Sequence, residues 1–159
     1  MVMHEPQEKF MQAAIEEAVK AKENGDYAIG AVLVKDGEII AQSPNCTKSE
    51  QDPTQHAEVA VIRNAVKKLG HRHLAGCVMY TTHEPCPMCS TAAVWARLQC
   101  VVVGARMDDM AEYRENNGNG NWSWRTVQIP AREVFAKGDP HVDIVEDFMR
   151  EECKTLFHS

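Results

Sequence analysis

The stretch CVMYTTHEPCPMCSTAAVWARLQCVVVG, residues 77–104, contains a complete strand–helix–strand pattern. Cys77 to Thr82 predicts a strand, Cys86 to Arg97 predicts a helix, and Cys100 to Gly104, with three consecutive valines, predicts a second buried strand. Strands that alternate with helices are typical of a partly parallel sheet covered on both faces. The stretch therefore predicts an α/β fold.

The residues before this stretch predict two further helices and a hairpin. The hairpin turn falls at Asp36-Gly37, a pair suited to the positive φ angles of a tight turn. Apolar periodicity and stop signals give the other boundaries. The predicted elements are an opening helix between Pro6 and Gly25, strands over Ala28 to Val34 and Glu38 to Gln42, and a helix over His56 to Leu69.

The residues after Gly104 predict less regular structure. Residues 106–125 are polar and include NNGNGNWSW, which has no usable periodicity, so they predict mainly a loop. Thr126 to Ile129 predicts a last strand and Val142 to Leu156 a closing helix. With 159 residues and 44% hydrophobic content, residues 1–159 are expected to form a single domain.

Charge and hydropathy exclude several functional classes. The 17 basic and 23 acidic side chains give a net charge of −6, which repels phosphate backbones and disfavours nucleic acid as a partner. The charged N-terminus does not resemble a signal peptide, and no window approaches the ~18 apolar residues of a membrane span. A soluble, cytoplasmic protein is expected.

Three potential metal ligands, His56, Cys86 and Cys89, stand at the predicted starts of two helices. Backbone N–H groups and the helix dipole favour thiolate there, and the two-residue gap places both sulfurs on one side of a first turn. One imidazole and two thiolates leave the fourth tetrahedral position open, as in catalytic zinc sites, and this position should hold water. The sequence predicts one zinc ion per chain.

Glu58 follows His56 by two residues and can approach the water without binding the metal. Glu58 is therefore the predicted general base that accepts a proton from this water and the general acid that passes the proton on. The pattern H-x-E followed by P-C-x-x-C is the signature of zinc-dependent nucleobase deaminases.

The chain resembles the cytidine-deaminase-like superfamily over roughly residues 10–106. It is most similar to the branch that contains guanine deaminases and tRNA adenosine deaminases. Three stretches carry the resemblance: IGAVLVKDG (29–37), DPTQHAEVAVIR (52–63) and EPCPMC (84–89). The resemblance implies a three-layer α/β/α sandwich with a central mixed five-stranded sheet, and a homodimer or a larger oligomer.

The resemblance also implies roles for individual residues. It assigns the zinc to His56, Cys86 and Cys89, and the proton shuttle to Glu58. The implied substrate contacts are Asn45, Ala57 and Glu84. After Ala105 the resemblance fades, because MDDMAEY (107–113) replaces the small, glycine-rich and alanine-rich stretch typical of the tRNA branch.

The predicted function is hydrolytic deamination of a purine-type nucleobase or nucleoside, with guanine as the first compound to test and water as co-substrate. The enzymatic alternatives are a cytosine or cytidine deaminase and a tRNA adenosine deaminase. A different class of protein, a zinc-binding interaction module that has lost its activity, would not need Glu58.

Other residues leave alternatives open. His83 is expected either to line the pocket or to make a structural hydrogen bond, and Trp95 to lie in the core or at a subunit interface. Trp122 and Trp124 are expected to anchor their loop or to form a base-stacking lid. Four cysteines are expected to be inert, small hydrophobic side chains rather than redox partners: Cys46, Cys77, Cys100 and Cys153. Of these, only Cys46, next to Asn45, could lie near the pocket.

Overall fold

A mixed sheet of five strands forms the centre of the protein. The computed structural model describes residues 4–118 and 124–158. The strand order is β2-β1-β3-β4-β5, in which β1 is antiparallel to β2 and β3, while β3, β4 and β5 are parallel. The strands are β1 (Gly30–Lys35), β2 (Glu38–Pro44), β3 (Val78–His83), β4 (Cys100–Ala105) and β5 (Asp143–Val145). The mixed five-stranded sheet is therefore confirmed.

The turn between β1 and β2 has the predicted form. Asp36 and Gly37 both have positive φ, at 51° and 78°. Two consecutive left-handed residues match the right-handed twist of a two-residue hairpin, and aspartate followed by glycine is suited to that conformation. This turn fixes the register that places Asn45 just beyond the end of β2.

Helices cover both faces of the sheet. One layer contains α2 (Ala57–Leu69), α3 (Pro87–Trp95) and α5 (Ala131–Ala136); the other contains α1 (Glu8–Glu23), α4 (Met107–Asn117), α6 (Arg150–Lys154) and a 3₁₀ turn (Thr155–Phe157). Successive strand side chains point to opposite faces, so Met79 packs under the first layer and Tyr80 under the second. The predicted three-layer α/β/α sandwich is confirmed.

The predicted loop over residues 106–125 is wrong in its first half, which forms α4. The helix has few apolar residues, but Met107 and Met110 are buried against the sheet. Its first turn is also held by distant groups, since Asp109 receives two hydrogen bonds from Arg150, at 2.9 and 2.7 Å. These contacts join residues 41 positions apart, so local periodicity could not reveal them.

The predictions for the C-terminal segment also need correction. Thr126 to Ile129 lies outside the sheet, and the last strand is instead β5, which pairs in parallel with β4 in the register Cys100 to Asp143. The helix predicted over Val142 to Leu156 begins only at Arg150. Ile144 and Val145 of β5 pair with β4 at the edge of the sheet and do not form the apolar face of a helix.

Among the described residues, no helix is long and apolar enough to cross a membrane.

Candidate functional site

The predicted metal ligands converge where α2 and α3 begin. His56 and Cys86 are the residues directly before these helices and have extended backbones, with ψ of 149° and 171°. Pro87 then opens α3, a position at which its missing N–H costs no hydrogen bond. Cys89 lies in the first turn of α3, so all three side chains lie beside helix N-termini.

The three ligand atoms have the separation that a tetrahedral zinc site requires. Nδ1 of His56 lies 3.5 Å from Sγ of Cys86 and 3.5 Å from Sγ of Cys89. All three atoms lie within 4.8 Å of one another. Zinc bonds of about 2.1 Å to nitrogen and about 2.3 Å to sulfur place the two atoms about 3.6 Å apart at a tetrahedral angle. These residues therefore fit a zinc ion without rearrangement.

The electrostatics of the two thiols indicate a cation site. The hydrogen bond with Cys89 lowers the pKa of Cys86 to about 4, and the hydrogen bond with Cys86 raises the pKa of Cys89 well above its ordinary value. The contact with Cys86 also raises the pKa of His56. The two sulfurs thus share one negative charge, and a divalent cation is what allows both to ionise at neutral pH.

Glu58 lies beside the ligands in a buried position. Its Oε1 accepts a hydrogen bond of 2.9 Å from the Thr81 hydroxyl, and its Oε2 lies 3.3 Å from Sγ of Cys89. Thr81, in β3, holds the carboxylate against the ligand set, and sequence reasoning missed this residue. The available signal was its position on the strand that leads into the Cys86 motif.

A small cavity opens next to His56. It has a volume of about 140 Å³ and is lined by Tyr27, Ile29, Asn45, His56, Trp124 and Arg125. Oδ1 of Asn45 accepts hydrogen bonds from the backbone N–H and the hydroxyl of Thr47. This contact fixes the orientation of the amide, so its NH₂ group is the donor that remains for a ligand.

The other two predicted substrate contacts can act only through the backbone. The Ala57 side chain is buried in the core beneath α2, so its N–H at the first helical position is the group that remains. The Glu84 side chain is likewise engaged: Oε1 accepts from the N–H of Met107 at 3.0 Å, and Oε2 accepts from the N–H of Ala131 at 2.9 Å. One carboxylate therefore caps both α4 and α5.

Replacing Glu84 by Gln should destabilise the protein. The amide would keep one acceptor but would turn an NH₂ group toward a buried backbone N–H, leaving a donor without a partner. The expected loss is about 1–3 kcal/mol in the free energy of unfolding, measured by urea denaturation. The exposed Glu112→Gln on α4 is the matched control and should unfold like the parent. Equal stability of both variants would contradict the capping role.

His83 is enclosed by aromatic side chains. Its ring centroid lies 6.0 Å from that of Trp124 and 5.6 Å from that of Phe157, and burial lowers its pKa. Its Nε2 is buried and makes no hydrogen bond within residues 4–118 and 124–158. Trp124 is itself buried, as expected of an anchor, whereas Trp122 lies outside the described residues.

Trp95 and the four cysteines outside the ligand set differ in how far they are exposed. Trp95 is 75% exposed, so its placement in the core is wrong and the interface alternative remains. Cys77, Cys100 and Cys153 are buried, whereas Cys46 is only partly buried, and burial raises the pKa of each thiol, to about 12 for Cys100 and Cys153. Their expected inertness agrees with these environments.

The ligand geometry agrees with a comparison against known families. Residues 4–105 match the model of the cytidine and deoxycytidylate deaminase zinc-binding region. The chain belongs to this deaminase family. Zinc is accordingly its cofactor, with His56, Cys86 and Cys89 as the candidate site, and the chain is a hydrolytic enzyme rather than an interaction module.

Similar members of this deaminase family act on different substrates. A tRNA-specific adenosine deaminase of Bacillus subtilis is 51% identical over 92% of this chain and 83% of its own length. A guanine deaminase of the same organism is 46% identical over 79% of this chain and 80% of its own length. The substrate therefore does not follow from the family alone.

Solved structures give the same two relationships. A chain from a study of tRNA:A34 deaminases superposes with a TM-score of 0.77 at 34% identity, covering 94% of this chain and 99% of that one. The guanine deaminase of Bacillus subtilis gives a TM-score of 0.65 at 37% identity, covering 79% of this chain and 87% of that one.

Proposed function

We propose that this deaminase removes the exocyclic amine of a free purine-type nucleobase or nucleoside, with guanine as its first substrate. The observation that carries the proposal is the cavity beside His56, whose volume of about 140 Å³ suits a single ring system. Trp124 forms one wall of this cavity, and the C-terminal Phe157 lies against the neighbouring His83. A cavity of this size, bounded by the buried Trp124, favours a small heterocycle.

Glu58 performs the proton transfers of the proposed reaction. The zinc ion, when bound, supplies the Lewis acidity that makes water nucleophilic at neutral pH. Glu58, held by Thr81 next to the ligands, takes one proton from the attacking water and passes it to the adjacent ring nitrogen. It then passes the second proton of that water to the departing amine, so that ammonia leaves and a ring carbonyl remains.

Three groups orient the ring in this proposal. The Asn45 NH₂ group donates to a ring acceptor within the cavity. The backbone N–H of Ala57 is a second donor, and the backbone carbonyl of Glu84 accepts from the exocyclic amine. Because the Glu84 side chain caps two helices, this carbonyl is held at a fixed position.

A tRNA adenosine is the second candidate substrate. The observation in its favour is the 51% identity with the tRNA-specific adenosine deaminase of Bacillus subtilis over 92% of the chain. The net charge of −6 opposes it, since phosphate contacts require clustered basic side chains.

Ammonia release from a panel of substrates tests these proposals. The panel contains guanine, guanosine, cytosine, cytidine, adenosine and an anticodon stem-loop RNA, with protein of measured zinc content. Release from guanine or guanosine above the other compounds is the expected result. Efficient deamination of the stem-loop without activity on free bases or nucleosides would overturn the proposed ranking.

We also propose that the chain forms a homodimer through the face around Trp95. This exposed side chain stands between two hollows, one of about 480 Å³ beside Val94 and Val134 and one of about 380 Å³ beside Val59 and Ile62. An exposed tryptophan flanked by apolar hollows is typical of a protein interface.

Light scattering should give a mass about twice 17.8 kDa for the parent and a monomer for Trp95→Glu, because a charge cannot be buried unpaired at the interface. Val19→Glu on α1 is the matched control, since Val19 is also an exposed apolar residue but lies on the opposite layer. A monomeric parent at high concentration would contradict the proposal.

A further inference from the structure

Arg125 is an arginine on the wall of the cavity that also contains the predicted ligand His56. It directly follows Trp124, whose buried side chain fixes this part of the chain. The Arg125 side chain is exposed, and neither the zinc ligands nor the proton transfers require it. Its guanidinium group is therefore available to contact a ligand in the cavity.

The cavity is small enough for one ring system to contact both His56 and Arg125. His56 and Arg125 line the same volume of about 140 Å³, so a heterocycle with its amine at the ligand set can present another of its edges to Arg125. In guanine the reacting amine is on C2, and the edge across the ring from C2 carries O6 and N7. Both of these atoms are hydrogen-bond acceptors.

The guanidinium group complements that edge. Arginine offers only donors, in a planar fork, and paired contacts from arginine to O6 and N7 are a common mode of guanine recognition. We propose that Arg125 recognises the O6/N7 edge of the substrate and thereby selects a 6-oxopurine whose 2-amine lies at the zinc site. This inference rests on the proposed function and narrows its substrate class.

The inference predicts which purine the enzyme discriminates against. In 2,6-diaminopurine the 6-oxygen is replaced by an amine, so a donor faces the donors of Arg125. Asn45 does not impose this discrimination, because its NH₂ group can serve the ring acceptors that both purines share. Selection between the two purines should therefore depend on Arg125.

The test is the ratio of kcat/KM for loss of the 2-amine from guanine and from 2,6-diaminopurine. Chromatography of the products distinguishes removal of the 2-amine from removal of the 6-amine. In Arg125→Gln the ratio of guanine to 2,6-diaminopurine should fall roughly tenfold to a hundredfold. The reason is that glutamine can pair with the 6-amine and N7 of 2,6-diaminopurine, just as arginine pairs with O6 and N7 of guanine. Arg114→Gln on the exposed face of α4 is the matched control and should keep the parent ratio.

The outcomes separate the two proposals. A parent enzyme that releases no ammonia from any purine overturns the proposed function itself. A parent that deaminates guanine, with an Arg125→Gln ratio within threefold of its own, overturns the role of Arg125 and leaves the proposed function standing. A ratio that falls in Arg125→Gln and not in Arg114→Gln supports the assignment.

Discussion

Glu58→Gln is expected to retain zinc and to lose at least ~10²-fold in the rate of ammonia release, and up to or beyond ~10⁴-fold. Glutamine keeps the volume of the side chain and can still meet the Thr81 hydroxyl, but it cannot accept and return a proton. Because the proposed reaction uses Glu58 for two proton transfers, turnover should fall far more than substrate binding. Initial rates with the preferred base, together with zinc analysis, measure the effect.

The control for Glu58→Gln is Glu115→Gln, which removes an exposed carboxylate on α4. It should keep both zinc and the parent rate. If Glu58→Gln holds zinc and stays within tenfold of the parent rate, a barrier change of only about 1.4 kcal/mol, another residue carries the proton.

Cys86→Ala and Cys89→Ala should each lose zinc and unfold more readily. Two remaining ligands cannot complete a tetrahedral site, because all three ligand atoms, which lie within 4.8 Å of one another, are needed beside the open position. The stabilisation by bound metal would be lost, which is about 2.7 kcal/mol when free zinc exceeds its dissociation constant a hundredfold. Metal analysis and urea denaturation with and without added zinc measure the two effects.

Cys77→Ala is the matched control, since it also removes a buried thiol but from the core beneath α2 and α3. It should keep one zinc per chain, and added zinc should stabilise it as it stabilises the parent. Full zinc occupancy in both ligand variants would show that the metal site is elsewhere.

Local signals in the sequence were sufficient to predict the ligand set. The starts of α2 and α3 are marked by His56 and by Pro85-Cys86-Pro87, and the two-residue gap to Cys89 already defines a metal-binding turn. The strands β3 and β4 are short apolar runs bounded by polar residues, which the sequence alone identifies well.

The elements that the sequence did not reveal depend on distant contacts. The first turn of α4 is held by Glu84 and Arg150, and β5 is only three residues long and gains its identity by pairing with β4. Pro130 directly precedes the short helix α5. Proline is a known signal for the start of a helix, but six residues are too few to show helical periodicity. The exposure of Trp95 also could not be read from its apolar surroundings, because a core face and an interface face have the same composition.

The carboxylate of Glu84 has a consequence for how this enzyme can diversify. Glu84 precedes the ligand Cys86 by two residues. By accepting hydrogen bonds from the N–H groups of Met107 and Ala131, it fixes the beginnings of α4 and α5. The segment from Gly118 to Pro130, which includes the cavity residues Trp124 and Arg125, thus lies between two anchored helices. A change in the length or sequence of this segment would leave both capping contacts in place, so residues around the cavity can vary while the beginnings of the two helices stay fixed.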